Sequence, residues 1–123
     1  ANLAISTGDI VRATHALDAA KRLIGRQPNA RLVQAFILAT GQVRELQGDA
    51  KGAEDAYHDA IAMEPMDPEA RMNLALLLAR QRRIPEARQA FAIAVTLFAP
   101  DQRNDRRMEF EETLNAANSG SRK

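Results

Sequence analysis

The chain reads as an all-α protein: a right-handed α-solenoid of antiparallel helix hairpins closed by a C-terminal capping helix. Three observations lead to that expectation. Ala53, Tyr57 and Ala60 return thirty-four residues later as Ala87, Phe91 and Ala94. A small–aromatic–small triplet at that period marks units that each bury one face against the next. Apolar residues elsewhere fall at helical spacing, and no segment of comparable length alternates with period two. Turn residues punctuate the chain at Gly8-Asp9, Pro28-Asn29, Gly48-Asp49, Pro65-Met66-Asp67-Pro68, Arg82-Arg83 and Pro100-Asp101.

Each element follows from its stripe and its punctuation. Ile10, Ala13, Leu17, Ala20 and Ile24 predict a helix around 9–26, and Leu32, Phe36, Ala39, Val43 and Leu46 predict a second around 30–47. Ala53, Tyr57 and Ala60 mark the third helix, and Ala70, Leu74 and Leu77 the fourth. The fifth carries Ile84, Ala87, Phe91, Ala94 and Phe98, and a weaker sixth runs through Phe110, Leu114 and Ala117. Asp67 is placed as an N-cap, with Pro68 at the first helical position, where its missing donor costs nothing. Asp9, Asn29 and Asp49 stand ready to cap in the same way, and Pro85 is tolerated in a first turn. Gly8 and Gly48 occupy places where a tight helix–helix turn asks for a left-handed residue, a role that falls to Arg82 in the last hairpin against its local preference. Short loops favour antiparallel neighbours. From Gly8 to Gly48 is 40 residues and from Ala53 to Ala87 is 34, so the extra six must lengthen the first helix, the second, or both.

Composition narrows the function. The 123 residues suit one domain with a modest core, and 46% hydrophobic with 27% charged residues is ordinary for a globular chain. Aromatics are 4% and Trp is absent, so the core must be built largely from Ala and Leu, which suits closely approaching helices. Lys+Arg of 17 against Asp+Glu of 16 gives +1, so no global field points to nucleic acid or an anionic membrane. Lysine occurs only at 21, 51 and 123, which reads as the codon habit of a GC-rich bacterial genome. Zero Cys excludes a disulfide framework, a thiolate zinc site and a cysteine nucleophile, and leaves cytoplasm and periplasm both open. No apolar run approaches the roughly 20 residues that span a bilayer, so no membrane insertion is expected. A start at Ala1, without Met or a signal-type segment, reads as a processed or excised piece of a longer chain, and residues 119–123 read as a disordered tail.

No catalytic, cofactor or metal constellation stands out. His15 and His58 lie on separate helices without the spacing of a zinc helix, and are expected at the surface. Ser6 and Thr7 have no base arrangement or nucleophile elbow, no glycine-rich phosphate loop occurs, and Glu111-Glu112 are exposed helix charges. Arg80, Arg82, Arg83 and Arg88 gather at one turn, and Arg103, Arg106 and Arg107 open the last helix. The latter are offset by Glu109, Glu111 and Glu112, with Arg107 and Glu111 at ion-pair spacing. An RNA-binding solenoid would need exposed aromatics beside such clusters, and Phe91 and Phe98 belong to a core stripe.

These residues resemble the tetratricopeptide repeat family. Residues 34–67 carry Gly41, Gly48-Asp49, Ala53, Tyr57, Ala60 and Pro65 at the family's offsets, with Thr40 and Arg44 where apolar residues are usual. Residues 68–101 carry Leu74, Ala75, Leu78, Ala87, Phe91, Ala94 and a Pro100 displaced by one place. Residues 1–33 hold a partial repeat that keeps Gly8-Asp9, Ala13, Leu17 and Ala20, and 102–118 form the capping helix. The resemblance implies a non-enzymatic protein–protein interaction module in which the first helix of each hairpin lines a concave groove for a partner's peptide or helix. Carried over, the ligand-facing positions are Ala35, Leu38, Gln42 and Glu45 from one repeat and Glu69, Met72, Asn73, Leu76 and Arg80 from the next, with Arg31 at the rim. Only Asn73 matches the carboxylate clamp of the chaperone-binding members, so an apolar segment with some acidic character is the expected guest. The alternatives are closure of that groove on a second copy of the chain, giving a structural homo-oligomer, and an RNA-binding solenoid.

Overall fold

Asp49 and Asp67, each followed by a segment of good helix formers, start two of the helices as anticipated. In the computed structural model, which describes residues 7–26 and 30–120, the Asp49 carboxylate accepts the backbone N–H of Gly52 at 2.9 Å, and that of Asp67 accepts from Glu69 at 3.2 Å. The described residues are helical apart from turns and one 3₁₀ segment, and none of them is in a strand. The chain divides into two compact units, residues 1–65 and 66–123.

The first unit holds α1 (Thr7–Arg26), α2 (Ala30–Leu46) and α3 (Ala50–Met63), with α2 packed against both neighbours. At 20 and 17 residues, α1 and α2 exceed α3, which has 14, so both absorb the longer first repeat. The Gly8-Asp9 pair is not a turn: α1 begins at Thr7 and includes both residues. The first turn tolerates this pair because its N–H groups lack helical partners in any case. Pro28 and Asn29, and residues 121–123 of the tail, lie outside the described residues.

The core of this hairpin is one ring. Tyr57 is 1% exposed and Ala53, Ala56, Ala60 and Val43 are buried around it. Gly41 makes the fit possible, because a Cβ at that position would stand 2.5 Å from Tyr57 Cε1. The two polar departures from the family pattern both stitch backbone. The Thr40 hydroxyl donates to the Phe36 carbonyl at 2.9 Å, and Arg44 crosses to the Gly52 carbonyl on α3 at 3.2 Å.

The second unit holds α4 (Pro68–Arg80), α5 (Ile84–Leu97), a 3₁₀ turn (Pro100–Gln102) and α6 (Arg103–Gly120), with α4 packed on α5 and α6. The six residues from Leu74 to Ala79 are all buried. Successive residues advance about 100° around a helix, so an apolar run of that length covers its whole circumference. α6 is fixed to α5 through its caps and rings. Arg103 donates to the carbonyls of Phe98 and Thr96, at 3.1 and 3.2 Å, closing the open end of α5. Phe110 stacks on Phe91 with centroids 4.4 Å apart, and the Arg106 guanidinium lies 4.6 Å above the Phe98 ring.

The turns inside the two hairpins share one backbone. At the first, Gln47, Gly48, Asp49 and Ala53 donate to the carbonyls of Val43, Glu45, Arg44 and Asp49. At the second, Gln81, Arg82, Arg83 and Ala87 donate to Leu77, Ala79, Leu78 and Arg83, each pair thirty-four residues on. The left-handed position holds Gly48 with φ 83° in one and Arg82 with φ 61° in the other, as the sequence pattern predicts.

Candidate partner-binding surface

A helix places residues spaced by three, four and seven on one face, so Arg31, Ala35, Leu38, Gln42 and Glu45 form a single stripe along α2. Arg31, Ala35 and Gln42 are exposed, and Leu38 and Glu45 are half-buried. Glu45 is committed inside the hairpin, where its carboxylate accepts the Tyr57 hydroxyl at 3.1 Å. That bond satisfies the one polar atom of the core ring. Sequence spacing alone did not reveal it, since the partners are twelve residues apart on different helices.

Glu69, Met72, Asn73, Leu76 and Arg80 make the matching stripe on α4, and there the expectation of an open face needs correction. Met72 is 1% exposed and Leu76 6%. For Leu76 the signal was present in the sequence, because an unbroken apolar run from Leu74 to Ala79 covers the whole circumference of that stretch of helix; Met72 lies outside the run. Glu69 is exposed and pairs with Arg106 of α6 at 3.3 Å, Asn73 is half-buried, and Arg80 is exposed at the last turn. What α4 presents is therefore polar and charged.

The remaining chemistry-bearing groups are accounted for locally. His15 and His58 are exposed, and His58 faces Glu54 one turn back at 3.7 Å, not its neighbours Asp55 and Asp59. Among the described residues no cluster of His, Asp or Glu could hold a metal ion, and no helix is long and apolar enough to cross a membrane. Glu111 turns to Arg88 on α5, at 3.6 Å, instead of to Arg107 on its own helix; Arg106 takes Glu109 at 3.2 Å. Glu86 has its carboxyl pKa lowered, first by the hydrogen bond from Arg83 and further by that residue's charge.

Neither the curated proteins nor the solved structures provide a match to this chain. The family model described as tetratricopeptide repeat matches residues 38–102. That span contains the Gly41–Tyr57 contact, both hairpin turns and the whole of α3, α4 and α5, more than half of the 123 residues. Residues, packing and match agree: the chain belongs to the tetratricopeptide repeat family.

Proposed function

We propose that the chain is a non-catalytic adaptor or assembly scaffold that takes a partner's peptide or helix on the first helix of its hairpins. Tetratricopeptide repeats are protein–protein interaction modules, so the family match supports the class. The observation that carries the finer statement is the α2 stripe, where Arg31, Ala35 and Gln42 stay exposed beside half-buried Leu38 while Val43 turns inward. A stripe on a preformed helix presents contacts that need no ordering when the guest arrives, which is where much binding free energy is otherwise lost. Ala35 leaves room for a close approach, Leu38 offers apolar area, and Arg31 favours an acidic residue on the guest. On α4, taken by itself, the positions open to a guest are Glu69, Asn73 and Arg80, with Met72 and Leu76 supporting the helix from within.

Site-specific photocrosslinking tests this directly. A benzophenone side chain at Ala35 should give an adduct with a different protein, whereas the same group at exposed Asp59 on α3 should not. An adduct at twice the chain's own mass would replace the adaptor by a homo-oligomer. Equal labelling from both positions would remove the α2 stripe from consideration.

A further inference from the structure

The two hairpin turns have the same hydrogen-bonded backbone and opposite charge. From 44 to 56, Arg44 and Lys51 stand against Glu45, Asp49, Glu54 and Asp55, a balance of −2. From 78 to 90, the positions thirty-four residues on, Arg80, Arg82, Arg83 and Arg88 stand against Glu86 alone, a balance of +3. Backbone geometry does not ask for this. The second turn needs a left-handed residue, which Gly supplies at no steric cost, yet it carries Arg82 at φ 61°. Arg82 is exposed, and its side chain makes no hydrogen bond or ion pair with any described residue, its backbone N–H alone being engaged, by the Ala79 carbonyl. Arg83 is engaged by Glu86 and Gln81, and Arg88 meets Glu111 at 3.6 Å. Arg80 is exposed on the last turn of α4.

We propose that the α4–α5 turn is a docking point for an acidic segment of a protein partner, with Arg82 as its projecting contact and Arg80 beside it. Arg82 is exposed at the turn, so a partner reaches its guanidinium without displacing any packed group. Clustered like charge of this kind raises the local concentration of an acidic chain and speeds its encounter. A protein segment fits better than RNA. Single-stranded RNA is held by stacking bases on exposed rings, and all five aromatic residues are buried or half-buried here. The proposal does not depend on the α2 stripe being occupied.

The test is an amide chemical-shift titration of the whole chain with a hexaglutamate peptide, and in parallel with a hexauridine oligonucleotide. The peptide should shift amides between Gln81 and Ala87 at about 30 mM salt, with the shifts largely lost at about 300 mM. Arg82→Gly, which relaxes the backbone and so keeps the fold, should weaken the peptide about two- to fivefold. Arg82→Lys, which keeps the charge, should retain most of the binding. The proposal is overturned if Arg82→Gly binds like the parent chain. It is equally overturned if the shifts are as large at the Gly48 turn, or if the oligonucleotide binds the same residues more tightly than the peptide.

Discussion

The turns at Gly48 and Arg82 show how little of a hairpin's geometry its turn side chains decide. Both close with the same four backbone hydrogen bonds, although one reads Gln-Gly-Asp and the other Gln-Arg-Arg. The helices on either side fix the path, and the turn residues adapt to it in chemically opposite ways. In the first, Asp49 accepts the N–H of Gly52 and caps α3. In the second, Arg83 has no acceptor to offer and α5 has no side-chain cap. Arg83 instead grips Glu86 through two hydrogen bonds, 3.1 and 2.6 Å long, and Glu86 occupies the place that Gly52 holds in the first turn. A negative cap in one hairpin is answered by an ion pair in the other.

The largest test of this parallel lies in the aromatic residue each hairpin buries. Tyr57→Ala should lower stability by about 3–5 kcal/mol in urea unfolding, since its ring is enclosed. Phe91→Ala, at a half-buried ring stacked on Phe110, should lose about 2–3 kcal/mol. Equal losses would mean that the second hairpin depends on its ring as heavily as the first.

Next comes the small residue sixteen places before each ring. Gly41→Ala would bring a methyl within 2.5 Å of Tyr57 and should cost about 1–3 kcal/mol. At the matching position in α4, Ala75 already carries that methyl in a fully buried site, and Ala75→Gly should cost about 1 kcal/mol through helix propensity. A neutral Gly41→Ala would show that the ring can retreat.

The turns themselves give effects of opposite sign. Gly48→Ala forces a side chain into left-handed geometry and should destabilise by about 1 kcal/mol, whereas Arg82→Gly should stabilise by about 0.5–1 kcal/mol in thermal melts. If Arg82→Gly lowered the melting temperature, Arg82 would have to hold a packing contact of its own.

The smallest effect is a titration. The folded-state pKa of Glu86 is depressed, so its pairing with Arg83 is fully present above the ordinary glutamate range and fades as pH falls through the lowered value. Side-chain carboxyl shifts should therefore place the Glu86 midpoint below that of an unpaired glutamate, and Arg83→Ala should return it to the ordinary value. An unchanged midpoint in the variant would remove the ion pair as the substitute for a cap.

The sequence was legible where the physics is local. Period and capping chemistry located α3, α4 and α5, the Asp49 and Asp67 caps, and the unusual backbone of Arg82, because each depends on residues within one turn of helix. It was less legible where a residue's surroundings come from elsewhere in the fold. Gly8-Asp9 has the same composition as Gly48-Asp49, yet lies inside α1, since a dipeptide does not reveal whether a helix has already begun. Met72 and Leu76 occupy groove positions by family offset, but both are buried, Leu76 within the unbroken apolar run of α4. The Tyr57–Glu45 bond and the Glu111–Arg88 pair join different helices, so periodicity within one helix could not reveal them. The 3₁₀ turn at Pro100–Gln102 was likewise hidden under a proline that serves equally well as a helix stop.

The clasp between α5 and α6 has a practical consequence for anyone trimming this protein. Arg103, Arg106 and Phe110 satisfy carbonyls and cover rings that belong to the preceding helix. A fragment ending at the last repeat boundary would thus carry uncapped carbonyls and an uncovered aromatic face, and would invite aggregation. Fusion junctions and truncations are safer placed beyond Leu114, the last buried residue of α6 among those described.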